Sequence, residues 1–356
     1  MDDRDRSFRS LTGDADFVRK TLIVLGLGLM ALLLWKLSDV LLLAFGAVLV
    51  AILLHAAADA LVRYLRVPER WSLMIASLVI FALFLAIIAL FGTQVRAQFS
   101  NVVERLPSAI DNFSKHLGVG PITDDLSEIV NNAQTSSMAA RLAGIGGAIL
   151  NGFTDFILVV IAGLYIAAAP RLYEKGFIKL FPIRHHERVE STLEASGKAL
   201  RLWLTSQLIA MACVAVLATI AFWLIGLPSA IALGLIAGLA DFIPFLGPVL
   251  GALPAVLIAF SISGETALWT IVAMIVIQQL EGNVIFPLVA RSMISIPPAL
   301  ALFAILIGSV LFGGLGLIFG FPLAVVTYVL VKKLYVRETL GERTEVPGEG
   351  EEAKPR

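Results

Sequence analysis

The sequence of 356 residues is poor in charged residues and has a single cysteine. Only 15% of its residues are Asp, Glu, Lys or Arg, against about 25% in soluble domains. One cysteine, Cys213, excludes an intrachain disulfide framework and a metal site built from several cysteines. The formal net charge of zero gives no indication of a nucleic-acid partner. What is abundant is apolar: 58% of the residues are hydrophobic and the mean hydropathy is +0.91, which predicts a multi-pass membrane protein.

Sequence motifs of common enzyme classes are also missing. The chain has no P-loop, no H-E-x-x-H and no G-x-S-x-G pattern. The stretch "GLAD" at 238–241 differs from the Gly-x-Gly-Asp of intramembrane aspartyl proteases. The pair His185-His186 has no cysteine or acidic partner at metal-ligand spacing. We therefore expect a protein that is not an enzyme and that has no cofactor and no bound metal.

Apolar runs divide the chain into segments. Because a spanning helix needs about 20 apolar residues, the runs predict an all-α polytopic protein with about six to eight spanning segments. The predicted order is a cytoplasmic N-terminal segment (1–20), three transmembrane helices (21–92), an extracytoplasmic helical segment (93–148), a transmembrane helix with a basic cytoplasmic loop (149–201), a transport core (202–331) and a disordered cytoplasmic tail (332–356).

The distribution of Lys and Arg predicts the orientation. Segment 171–201 holds seven of these residues, whereas the longer segment 93–148 holds four. Since cytoplasmic loops carry an excess of Lys and Arg, we expect both termini in the cytoplasm of a bacterial cell, with the chain in the inner membrane.

Two apolar stretches of the core, 228–260 and 297–331, are interrupted by glycine and proline. Each is too long for one straight crossing and too short for two crossings with a loop. Either each stretch is a re-entrant helical hairpin, or each is one broken, tilted span. Hairpins would make the second copy inverted relative to the first, and inverted repeats with broken helices that meet near the midplane are a transporter design. The predicted hinge or hairpin residues are Pro244, Gly247, Pro248, Gly251, Pro254, Pro287, Gly313, Gly316, Gly320 and Pro322.

Polar side chains lie beside these stretches. Asp241 stands where the first stretch turns, and Glu281 follows with Gln278 and Asn283 close to it in sequence. A carboxylate at membrane depth costs about 2.5–3.5 kcal/mol on insertion scales, which indicates a polar site or ion path between the two repeats. The alternative is that both acids lie at the headgroup boundary or cap helix ends.

Three stretches carry a family resemblance: "DFIPFLGPVLGALPAVLIAF" from residue 241, "QLEGNVIFPLVA" from 279 and "GSVLFGGLGLIFGFPLAVV" from 308. They resemble the signatures of the autoinducer-2 exporter family of bacterial membrane transporters. The most specific part is Ile243, Pro244 and Gly247, followed by Glu281 with Pro287. Two departures are visible. Ser206-Gln207 stands where many members have Gly-Gln, and Pro297-Pro298 where many have His-Pro, which removes a titratable group.

The resemblance implies export of a small hydrophilic solute, driven by a proton or ion gradient, by a homo-oligomer such as a pentamer. It adds Gln207 to the candidate path of Asp241, Glu281, Gln278 and Asn283. A rival function is a monovalent cation (Na⁺)/proton antiporter that uses Asp241 and Glu281. A rival of another class is a membrane scaffold whose segment 93–148 binds a partner outside, although a scaffold has no need for paired broken helices.

Overall fold

The computed structural model describes residues 3–82, 138–289 and 296–342, together with 344, 346 and 347. All regular secondary structure in this part of the chain is helical, which confirms the all-α prediction. The predicted group of three transmembrane helices, 21–92, is described only as far as residue 82. Most of the predicted extracytoplasmic segment, residues 93–137, lies outside the described residues.

The N-terminal half contains α1 (Asp3–Lys36), α2 (Ser38–Leu65), α3 (residues 69–82), α4 (Met138–Ala168) and α5 (Pro170–Ile178). Helices α4 and α5 meet at an angle of 90°. The bend lies at Pro170, whose ring removes a backbone donor, so the α4 helix cannot continue through it. Helix α4 packs against α2 where Gly163 has no side chain, and a Cβ there would lie 2.7 Å from Val50 Cγ1.

A single helix, α6 (His186–Ile225), runs through two chemically different regions. Its first turns belong to the basic segment 171–201, and its later turns, from 202 to 225, are apolar. The helix ends at Gly226, whose φ of 84° gives the left-handed cap that glycine adopts without strain. The predicted basic loop is therefore largely helical, as α5 and the start of α6.

The first broken stretch folds as a helical hairpin of α7 (Ala230–Ala240) and α8 (Gly247–Ile262), called hairpin 1 below. A Cβ on Gly247 would lie 2.6 Å from Asp241 Cα, and a Cβ on Gly251 would lie 2.7 Å from Ala237 Cα. As the chain advances along α8, its partner residues recede along α7, so the two arms are antiparallel. Hairpin 1 also packs on α6, where a Cβ on Gly238 would lie 2.6 Å from Ala215 Cβ.

Helix α9 (Gly264–Leu280) follows hairpin 1 at once. Ser263 is its N-cap, and the Ser263 hydroxyl accepts a hydrogen bond of 3.0 Å from the Thr266 backbone N–H. A π-helical turn (Glu281–Ile285) and a short helix α10 (Phe286–Val289) continue from α9.

The second broken stretch, α11 (Pro298–Leu330), also folds back on itself and is called hairpin 2. Its backbone breaks at Gly313, which has φ 60° and ψ −136°. A Cβ on Gly308 would lie 2.6 Å from the Gly316 carbonyl oxygen, and one on Gly320 would lie 3.0 Å from the Ala304 carbonyl oxygen. The arms before and after Gly313 are therefore antiparallel. In both stretches the structure adopts the hairpin and not the broken, tilted span.

Four helical segments of the described chain are long and apolar enough to cross a membrane: Ser38–Leu65, Ile183–Ile225, Gly264–Ile285 and Pro298–Arg337. A fifth is present if α4 and α5 form one bent span. The last of the four contains hairpin 2, which folds back at Gly313, so this segment is not a single straight crossing. The arms of hairpin 1 are apolar but shorter. This architecture is that of a multi-pass membrane protein.

The described part of the C-terminal tail is structured at its start, and residues 343, 345 and 348–356 of the predicted tail lie outside the described residues. The sequence predicts disorder from residue 332, but Val331–Arg337 form a π-helix and Val346 is only 5% exposed. Val346 belongs to an apolar cluster that includes Trp203 of α6 and Val325 of hairpin 2. An ion pair between Arg188 and Glu338 links the same tail to α6. The tail is rich in Glu and Gly, and this composition gave no indication that the Val346 side chain is buried in the core.

Candidate functional site

A cavity of about 780 Å³ lies where both hairpins meet α6 and the end of α9. Hairpin 1 contributes its tip, residues 241–249, and hairpin 2 contributes residues from both of its arms. Helix α6 contributes the face of Trp203, Gln207 and Ala210, which recur at helical spacing. The cavity therefore joins the two parts of the chain that the glycine and proline pattern singles out.

The backbone at the tip of hairpin 1 has a conformation that is incompatible with a continuous helix. Pro244 removes a donor, and Phe245 has φ 67°, a left-handed conformation that is uncommon for a residue with a side chain. The turn is fastened to α6 by Gln207, whose Nε2 donates a hydrogen bond of 2.8 Å to the backbone carbonyl oxygen of Asp241. Irregular backbone at membrane depth is tolerated where protein buries it or where it lines a wet cavity, and this turn meets that condition.

Two carboxyl groups meet in the cavity. Asp241 ends α7 and is 3% exposed, and Glu281 begins the π-helical turn after α9. Both side chains line the same cavity. Gln278 Nε2 donates a hydrogen bond of 2.9 Å to Glu281 Oε2. Asp241 Oδ2 is buried and has no hydrogen-bond partner among the described residues.

This arrangement can hold a proton or a cation. Two neighbouring carboxyl groups cannot both ionise cheaply in a buried site, because like charges repel. One shared proton, or one bound cation, removes that cost. The pair is therefore able to exchange a positive charge with its surroundings.

The predicted path residues do not all gather in the cavity. Asp241, Glu281, Gln278 and Gln207 line it. Asn283 is exposed and is not part of the lining, so the structure does not bring it to the predicted path.

The predicted hinge residues serve three different purposes. Pro244 and Pro248 line the cavity at the tip of hairpin 1. Gly313 provides the positive φ at the break of hairpin 2. The remaining glycines allow close backbone approach between arms: Gly247, Gly251, Gly316 and Gly320. Pro254 and Pro322 lie inside helices, and Pro287 is exposed in α10 outside the cavity.

Aromatic residues of the cavity were not predicted. Trp203, Phe245 and Phe321 line it, and the rings of Trp203 and Phe321 lie 5.3 Å apart. One signal for Trp203 was present in the sequence, since it precedes Gln207 by four residues and so shares its helix face. Phe321 gives no such signal, because it lies among many apolar neighbours.

The tip of hairpin 1 lies far along α6 from Ile225, the residue at which that helix ends. Gln207, which holds the tip of hairpin 1, precedes Ile225 by 18 residues, a helical distance of roughly 27 Å. The hydrocarbon core of a bilayer is about 30 Å thick. Hairpin 1 therefore reaches almost to the end of the apolar part of α6, near its basic first half.

Comparison with known proteins agrees with this architecture. Residues 22–335 match the family model described as AI-2E family transporter. YueF of Bacillus subtilis, provisionally described as a transport protein, is 26% identical over 312 residues, which is 82% of this chain and 83% of that protein. YrrI of the same organism, with the same provisional description, is 32% identical over 167 residues, 47% of each chain. A provisionally described transport protein of Thermotoga maritima is 25% identical over 224 residues, 62% of this chain and 67% of that protein. The family model covers nearly the whole chain, and the chain therefore belongs to the AI-2E transporter family.

Proposed function

We propose that this protein is a secondary transporter that exports a small organic solute through the cavity between its two hairpins. The observation that carries the proposal is the meeting of both hairpins, the buried Asp241 and the half-buried Glu281 around one cavity of about 780 Å³. That volume is within the range of about 300–1,000 Å³ typical of small-molecule sites. The family resemblance implies that transport is directed out of the cell and that the solute is hydrophilic, such as an autoinducer-2-like metabolite.

Asp241 and Glu281 are the proposed coupling groups. A carboxyl pair that takes up and releases one proton gives a transmembrane proton gradient a means to drive the transport cycle. Gln278 and Gln207 are proposed as positioning residues, because they hold the Glu281 side chain and the Asp241 backbone respectively.

A second candidate is exchange of a monovalent cation such as Na⁺ for protons. The buried Asp241 oxygen without a partner among the described residues favours it, because a cation would satisfy that oxygen. The scaffold hypothesis has no comparable support, since its binding segment lies largely outside the described residues and a scaffold does not require the cavity.

The orientation and assembly belong to the same proposal. Both termini are placed in the cytoplasm of a bacterial cell, because the basic segment 171–201 favours the cytoplasmic side of the inner membrane. A homo-oligomer such as a pentamer is proposed from the family resemblance.

The test is a flux assay in proteoliposomes, run with and without Na⁺ and with and without a pH gradient. Glu281→Gln keeps the shape of the side chain but fixes it in the neutral state. We expect this variant to exchange solute across the membrane when the solute is saturating and to lose accumulation driven by the pH gradient. Glu265→Gln is the matched control, because Glu265 lies exposed in the first turn of α9, the helix that leads to Glu281. Gradient-driven flux equal to wild type in Glu281→Gln would refute the coupling role.

A further inference from the structure

The cavity has an apolar, aromatic wall and one acidic end. Trp203, Phe245 and Phe321 supply aromatic rings, and prolines and aliphatic side chains supply most of the remaining surface. Among the described residues that line it, the uncharged polar side chains are Ser206, Gln207 and Gln278. A wall of this kind suits a ligand with an apolar body and few hydrogen-bonding groups.

The charge of the acidic end is not balanced. Asp241 and Glu281 line the cavity, and no Lys or Arg is present among its described lining residues. The two glutamine side chains already donate hydrogen bonds, one to Glu281 and one to the Asp241 backbone. Asp241 is 3% exposed, and its Oδ2 has no partner among the described residues.

These features select for positive charge. A buried carboxylate without a partner is costly, and a cationic group beside it would remove much of that cost. Aromatic rings such as that of Phe245, which lines the cavity and is 50% exposed, also attract cations through the quadrupole of the ring. A solute rich in hydroxyl groups would instead lose its water to a wall that offers few replacement hydrogen bonds.

We infer that the solute bound in this cavity is an organic monocation with an apolar or aromatic body, its charged group at Asp241 and Glu281 and its body against Trp203 and Phe321. The inference rests on the proposed transport function and narrows its substrate class. It departs from the hydrophilic solute that the family resemblance implies.

Two probes of the same shape and opposite charge test the inference on the wild-type protein. Tetraphenylphosphonium and tetraphenylborate each carry four phenyl rings around a central charge. Equilibrium binding of each radiolabelled probe is measured with the protein in lipid nanodiscs, and the partition into empty nanodiscs is subtracted. We expect saturable binding of the cation and not of the anion. Saturable binding of both probes alike, or of the anion alone, would overturn the inference, as would the absence of cation binding.

Substitutions locate the binding. Glu281→Gln and Asp241→Asn should each weaken cation binding by about tenfold or more, since each removes a carboxylate that lines the cavity. Trp203→Ala should weaken it by a smaller factor, and Glu265→Gln should leave it unchanged. Unchanged binding in both acid variants, with wild-type elution on size exclusion, places the cation elsewhere and refutes the inference. If ribose displaced the radiolabelled cation at a concentration at which the unlabelled cation does not, the result would favour a hydrophilic solute and would also refute the inference.

Binding and flux separate this inference from the proposed function. If the cation fails to bind while another solute shows gradient-driven flux, only the substrate class is wrong. If the cation binds at the acids but no solute moves in proteoliposomes, the transport function is wrong and the site stands.

Discussion

Replacing Gly251 by alanine tests the close backbone contact, called the glycine seam below, between the two arms of hairpin 1. The added Cβ would lie 2.7 Å from Ala237 Cα and 3.1 Å from the Ala237 carbonyl oxygen. Carbon atoms in contact normally lie roughly 3.5–4.0 Å apart, so the two arms must separate by roughly 1 Å. Since the obstacle is backbone, no side-chain rotation can relieve it. Overpacking of this kind costs about 1–3 kcal/mol.

The measurement is the free energy of unfolding in mixed micelles titrated with SDS, followed by circular dichroism. Gly264→Ala is the matched control, because a Cβ at Gly264 has no atom within 4 Å. We expect the control to lie within about 0.5 kcal/mol of wild type and Gly251→Ala to be clearly less stable. Solute flux should also fall in Gly251→Ala alone, because separation of the arms displaces the tip that carries Asp241. Equal stability of the two variants would show that the arms do not meet at this seam.

Three further predictions follow from the fold. In a cysteine-free background, Ser263→Cys should react with an impermeant thiol reagent added outside cells and Gly176→Cys should not; the reverse pattern would invert the proposed topology. Val346→Asp should detach the tail from the apolar cluster, because a buried unpaired charge is costly, and trypsin should then cleave the tail faster than in wild type. An unchanged cleavage rate would mean that Val346 does not pack in that cluster. Gly313→Ala should lower the free energy of unfolding by about 1–2 kcal/mol in the same SDS titration, since Gly313 has φ 60°. Gly314→Ala is the control, because a Cβ there meets open space, and an equal loss of stability in both variants would contradict the positive φ at Gly313.

Much of the fold follows from apolar length and from glycine and proline position. The apolar runs predict α2, the later turns of α6 and α9, because hydrocarbon accepts long apolar helices. The paired broken stretches predict hairpins or broken spans without deciding between them. The decision depends on Gly251 meeting Ala237, and on Gly308 meeting Gly316, which are contacts between arms that no local pattern encodes.

The acids of the site were predictable and its walls were not. Asp241 and Glu281 stand out in an apolar region, because a carboxylate there has a cost that requires a reason. Asn283 follows Glu281 by two residues, and a regular helix would have put it on a different face in any case; the π-helical turn leaves it exposed. Phe321 lines the cavity only because hairpin 2 folds back, so its role depends on tertiary structure.

The glycine seams determine which parts of the core move together. Hairpin 1 meets α6 with almost no side-chain layer between them, since a Cβ on Gly234 would lie 2.6 Å from the Thr219 backbone nitrogen. Two elements in backbone contact cannot slide without a clash, so α6 and hairpin 1 behave as one rigid body. Hairpin 2 faces that body across the cavity. A change in cavity volume then requires movement of hairpin 2 or of the end of α9 with Glu281, because these form the rest of the lining. The tail restricts the movement of hairpin 2, because its Lys333 Nζ donates a hydrogen bond of 3.0 Å to the Ser191 carbonyl oxygen of α6.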